Sequence, residues 1–148
     1  MKVIRLLSIF TFGIVLALAA QACGSDGPTP INYGHEQCAH CRMTVSDARF
    51  GCQLATKKGR AYNFDDVQCM VAFVKAGGVA EEEVAKFYLP DYSNSNELLP
   101  SEGLFLLKSE SLKSPMRGDV AAFASKEDLM KVQEVHGGEE LTWDELWK

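Results

Sequence analysis

The chain has 148 residues, 47% of them hydrophobic, and a formal net charge of −5. That is enough apolar material for one domain with a core of its own, so neither disulfides nor a metal are required to hold the fold together. An acidic balance with no run of lysine or arginine excludes a nucleic-acid-binding protein.

Lys2 and Arg5 precede an apolar stretch from Leu6 to Ala20 that closes on Ala20-Gln21-Ala22, the layout of a secretory signal peptide over residues 1–22. Ser8 and Thr11 interrupt the stretch, which is shorter than the roughly 20 apolar residues a bilayer-spanning helix needs. Cleavage makes Cys23 the mature N-terminus. It also moves the net charge from −5 to −7, because the leader holds two basic residues and no acidic one. Export places Cys23, Cys38, Cys41, Cys52 and Cys69 in an oxidising compartment where disulfides can form. Gly24 to Gly34 is glycine, proline and polar residues without apolar period, which predicts a flexible tether over residues 23–34 and a domain over residues 35–148.

Phe50, Cys52 and Leu54 alternate, a Lys57-Lys58-Gly59 turn follows, and Arg60 to Phe64 completes a predicted β-hairpin. Asn63, Asp65 and Asp66 supply capping and first-turn carboxylates for a helix whose stripe is Val67, Met70, Val71 and Val74, ending at Gly77-Gly78. Lys86 to Leu89 is rich in strand formers and stops at Pro90. Asp91 to Gly103 reads as a polar connector. Leu104 to Leu107 and Val120 to Phe123 then read as strands, and Ser125 with Asp128 caps a helix marked by Leu129, Val132 and Val135. A last strand falls around Leu141 to Trp143. The predicted class is α+β, with two consecutive strand-strand-helix-strand units over about residues 35–90 and 103–148 forming one small domain.

The densest chemistry is Cys38-Ala39-His40-Cys41-Arg42-Met43, two thiols and a thioether within six residues. These are soft donors that suit copper(I), whereas zinc seldom takes methionine. A C-x-x-C alone also fits a redox pair, half of a zinc site or a small disulfide loop. A thioredoxin-like motif follows an apolar strand and opens a helix, but Gly34-His35-Glu36-Gln37 precedes this one and Met43-Thr44-Val45 follows. A zinc ribbon wants a second close pair, and Cys52 and Cys69 are far apart in the chain. Met116, in the turn-like Ser114-Pro115-Met116-Arg117-Gly118, is either a ligand or a loop residue packing on the sheet. Met70 fits the apolar stripe, and Cys52 and Cys69 read as small buried hydrophobes. His136 ends the second helix, where it complements the dipole.

Glu36 to Met43, Tyr62-Asn63-Phe64-Asp65-Asp66-Val67-Gln68-Cys69-Met70, Ser114 to Gly118 and His136-Gly137-Gly138, in this order and spacing, resemble the NosL family of copper-binding accessory lipoproteins of nitrous oxide reductase. The resemblance implies a monomeric copper(I) metallochaperone without catalysis. The ligands it implies are Cys38, Cys41, Met43 and Met116, with His136 beside them. It further implies an exported lipoprotein, anchored in the membrane through a lipid on Cys23 and facing the periplasm or cell exterior. Its partner would be nitrous oxide reductase or that enzyme's maturation complex. Two departures stand out. Arg42 replaces the glycine of the family's C-x-x-C-G-M segment, which strains any backbone that needs positive φ there. Ala20-Gln21-Ala22 lacks the leucine that usually stands three before a lipidated cysteine, and it also serves as an ordinary cleavage site giving a free secreted form. The rival readings are a thiol oxidoreductase, an organomercurial-lyase-like enzyme with Asp65 or Asp66 as proton donor, and a general metal scavenger.

Overall fold

The computed structural model describes residues 27–148, so the expected signal peptide and Cys23 lie outside the described residues. The described chain runs β1 (Cys52–Thr56), β2 (Ala61–Phe64), helix α1 (Val67–Lys75), a 3-10 turn (Glu81–Glu83), β3 (Val84–Asp91), β4 (Asn94–Pro100), β5 (Phe105–Lys108), β6 (Val120–Phe123), helix α2 (Lys126–His136), β7 (Glu139–Leu141) and helix α3 (Trp143–Leu146). The class is α+β. Among the described residues no helix is long and apolar enough to cross a membrane.

The strands form one seven-stranded sheet in the order β2-β1-β3-β6-β5-β7, with β4 pairing on β3. β1 is antiparallel to both β2 and β3, and β5 is antiparallel to both β6 and β7. The two triplets join where β3 and β6 run parallel at Asp91 and Ala122. Because strand side chains alternate between faces, neighbouring residues of the central strands enter different cores. Leu106, Val120 and Ala122 join Cys52, Leu54, Phe64 and the α1 residues Val67, Met70 and Val74 on one face. Leu107, Ala121 and Phe123 join Leu129 of α2 on the other. The two main helices therefore cover opposite faces of the sheet.

Several expectations need correction. The stretch 91–103 is not a connector: residues 94–100 form β4, with Leu98 and Leu99 set against Pro90 and Leu89. Its asparagines, serine and closing proline mask a strand whose partner supplies the regularity. β3 also runs through Pro90 to Asp91, with a register shift between those two residues that fits the missing N–H. Trp143 opens a helix rather than closing a strand, because Thr142 and Glu145 make a reciprocal capping box. The predicted tether is too long. Thr29 donates its N–H to the Gln53 side chain at 2.9 Å, Ile31 is buried in the core, and Gly34 donates to the Val45 carbonyl at 2.9 Å, so the folded domain begins before His35. Phe50, expected to share a face with Cys52 and Leu54, precedes β1 and packs in the α2-side core instead.

Candidate metal centre

The C-x-x-C motif is held in a tight loop, not at the start of a helix. Gln37 and Thr44 form an antiparallel bridge, Cys38 donates its N–H to the Met43 carbonyl at 2.8 Å, and Arg42 donates to the Cys38 carbonyl at 3.0 Å. Ala39 N–H is bound by the Asn63 carbonyl at 2.8 Å, which fixes the loop to the end of β2. The Asn63 side chain in turn accepts from Gln53 and donates to Glu36, so the support is continuous with β1. The turn back to Met43 requires Arg42 at φ +67°, the left-handed conformation that glycine adopts freely. Arg42→Gly is therefore expected to raise stability by up to about 1 kcal/mol, read as a higher urea midpoint. A lower midpoint would show that the arginine side chain is itself supporting the loop.

The third thiol comes from α1. Asp66 is its N-cap, with extended backbone and a side-chain oxygen accepting the Cys69 N–H at 3.2 Å. That cap sets Cys69 at the third helical position, facing inward beside Met70, and both are buried. The sulfurs of Cys38, Cys41 and Cys69 all lie within 4.8 Å of one another. Cys69 is thus part of the thiol cluster, which the expectation of a merely packed side chain missed. Its position in the first turn was the available signal, since a helix N-terminus is where a thiolate is favoured. Cys52 is buried outside the cluster, and burial pushes its thiol well above the ordinary range. All four cysteines of the described residues are free thiols.

The cluster shares its protons unequally. Cys38, 0% exposed, accepts a hydrogen bond from the Cys69 thiol and further ones from the backbone N–H groups of Cys41, Asp65 and His40, which overcome its desolvation and bring its pKa down to about 4. Cys69 is displaced upward, first by donating to Cys38 and then by burial. Burial also raises Cys41. Hydrogen bonds from its neighbours favour the thiolate at Cys38, the form that a soft metal ion binds.

The remaining candidates divide by face. Met43 is 57% exposed on the outside of the loop. Met116 is partly buried against the core that contains Cys38 and Cys69. Its N–H donates to Asp66 Oδ2 at 3.2 Å, so the loop between β5 and β6 is attached to the first turn of α1. His136 is not brought to the thiols: it ends α2 on the opposite face, with its imidazole Nδ1 3.0 Å from Ser111 Oγ. Asp65 is buried beside the cluster and accepts the Ser46 N–H at 3.1 Å; its pKa is raised chiefly by burial. Asp66 is fully occupied by the cap and loop bonds, which removes it as a proton donor.

Comparison with known proteins gives a family model described as NosL that matches residues 28–148. A search of curated proteins gives no match. Among solved structures, the copper chaperone NosL from Shewanella denitrificans aligns with a TM-score of 0.67 at 20% sequence identity, covering 82% of this chain and 96% of that one. At that identity the likeness establishes the shared fold.

Proposed function

Because the chain belongs to the NosL family, we propose that it is an exported copper(I) carrier that loads nitrous oxide reductase and turns over no substrate of its own. The observation that carries this reading is the Cys38, Cys41 and Cys69 triad, with its sulfurs within 4.8 Å of one another. Three thiolates make a soft, low-coordinate site suited to copper(I). The half-buried Cys41 and the exposed Met43 give such an ion a route for ligand exchange with a partner, which a sealed structural site would deny. Met116 supplies a thioether from the other half of the chain. The fold then reads as two strand-strand-helix-strand units, β1-β2-α1-β3 and β5-β6-α2-β7, with the cargo held between a loop and helix of the first and a loop of the second.

The thiol-enzyme readings are weaker. A dithiol oxidoreductase presents its low-pKa sulfur to solvent at a helix N-terminus. Here Cys38 is fully buried in a hairpin-like loop, and the more accessible Cys41 has its pKa raised.

The carrier is held at the membrane by a lipid on Cys23. Six residue steps separate Cys23 from Thr29, where the chain is docked, and these span at most about 20 Å. The domain therefore works close to the membrane surface. Fatty-acid labelling that persists in Cys23→Ala would remove the anchor from this proposal.

The reduced protein is expected to bind one copper(I) with sulfur as the dominant scatterer in X-ray absorption. A strain lacking the gene should accumulate nitrous oxide under copper limitation and make copper-poor reductase. Fully metallated reductase in that strain would rule out this acceptor, while tight zinc binding with no preference for copper would rule out the cargo.

A further inference from the structure

We propose that Asp66 is a positioning residue that holds Met116 at the thiol cluster, so that the thioether and the Cys69 sulfur act as one preorganised unit. This inference rests on the copper-carrier reading. The carboxylate is 1% exposed and makes four hydrogen bonds. Oδ1 accepts the Cys69 N–H at 3.2 Å. Oδ2 accepts Ser114 Oγ–H at 2.7 Å, Met116 N–H at 3.2 Å and Gly118 N–H at 3.1 Å. The helix cap accounts for the first of these and for none of the other three. They are spent on a loop that belongs to the other half of the chain.

That loop does not hold its shape unaided. Lys113, Arg117 and Asp119 have φ values of +53°, +59° and +53°, left-handed conformations that cost energy in any residue but glycine. Such backbone persists only where surrounding contacts over-determine it. Within the loop, Ser114 and Asp119 exchange two bonds, the Ser114 N–H to Asp119 Oδ1 at 2.9 Å and the Asp119 N–H to Ser114 Oγ at 2.8 Å. Its attachment to α1 is Asp66, while Ser109 and Ser111 at its start bond the His136 carbonyl at the end of α2. The approach is close: a Cβ on Gly118 would lie 3.0 Å from Gln68 Cβ and 3.1 Å from Asp66 Oδ2. One buried side chain therefore sets the first turn of the helix that carries Cys69 and the loop that carries Met116.

Asp66→Asn separates the two roles. Asparagine caps a helix as well as aspartate does. With its oxygen kept on the Cys69 N–H, however, its NH2 group faces three donors and cannot accept from them. The variant should fold, keep hydrogen-exchange protection through α1, and lose it at the amides of Met116 and Gly118. Copper(I) affinity should fall by about 10- to 100-fold, the range for removing a ligand's supporting hydrogen bond. Sulfur scattering from the loaded protein should drop by one thioether, and Met116→Leu should reproduce both changes. The Asp66→Asn, Met116→Leu double variant should bind no more weakly than Met116→Leu alone, because the aspartate acts through the methionine. Additive losses in the double variant, or an unchanged affinity and spectrum in Asp66→Asn, would overturn the proposal. If Asp66→Asn does not fold, Ser114→Ala removes one of the three bonds to Asp66, together with the Asp119 N–H bond within the loop, and should show the same coupling to Met116→Leu. A parent protein that binds no copper(I) would instead defeat the carrier reading itself.

Discussion

Cys69→Ser weakens copper(I) binding as severely as Cys38→Ser or Cys41→Ser, and Cys52→Ser leaves it close to the parent value: this is the result expected in a competition assay against a strong copper(I) chelator. Each of the three removes a sulfur from a cluster whose members lie within 4.8 Å of one another. The loss should exceed the roughly 10- to 100-fold that follows removal of a mere supporting hydrogen bond. Cys52 is equally buried but outside the group, so it controls for the effect of placing a hydroxyl in the core. Copper held by the C-x-x-C loop alone would give a different pattern, with Cys69→Ser grouped with Cys52→Ser. That outcome would reduce the site to two thiolates and leave Cys69 as their hydrogen-bond donor.

A second large effect is expected far from the metal. Gly138 has φ +100°, and a Cβ built there would lie 2.2 Å from the Lys108 carbonyl oxygen and 2.7 Å from Ser109 Cβ. The obstacle is the backbone at the end of β5, which cannot rotate away as a side chain can. Gly138→Ala must therefore either abandon the backbone conformation or push β7 off β5. The expected cost is roughly 3 kcal/mol or more, adding the left-handed penalty to that of overpacking. Gly77→Ala is the matched control, since Gly77 has φ +75° with nothing within 4 Å of the added carbon. It should lose only about 1 kcal/mol. Urea denaturation of the two variants measures the difference, and equal losses would show that β7 can shift without consequence. Because β7 leads into the capped helix α3, whose first residue Trp143 and C-cap Trp147 pack on Phe87, the damage should also appear as a change in tryptophan fluorescence.

The local elements were largely legible from the sequence because they rest on local chemistry. The hairpin after Cys52, the Ser125 cap and the glycine stops each depend on residues a few positions apart, and they formed where those residues stand; of the capping and first-turn residues expected at Asn63, Asp65 and Asp66, Asp66 is the cap and the first turn of α1 holds no carboxylate. The strain at Arg42 was legible only through the family resemblance, whose segment carries glycine where Arg42 takes φ +67°. β4 was not, because a strand of asparagine, serine and proline is specified by the edge of β3 that it pairs with. Nor was the docking of residues 29–34, which depends on the Gln53 side chain and on the Val45 carbonyl.

For the metal centre, the sequence by itself supplied the class of donor, soft sulfur clustered at Cys38, Cys41 and Met43, and through the family resemblance it pointed to copper. Which sulfurs meet was decided by the tertiary structure alone. Cys69 is 28 positions beyond Cys41, and nothing in helical periodicity says that the first turn of α1 will lie against the C-x-x-C loop; the Asn63 carbonyl that holds Ala39 and the Asp66 cap bring them together. His136 shows the converse. The family resemblance implied it as a ligand, but it ends α2 with its imidazole on Ser111 and is not among the side chains that meet at the thiol cluster. Spacing along a chain fixes which side of an element a residue occupies, whereas which face of the sheet each helix covers is decided in the packing, α1 against the side of Leu106 and Ala122 and α2 against the side of Leu107 and Phe123.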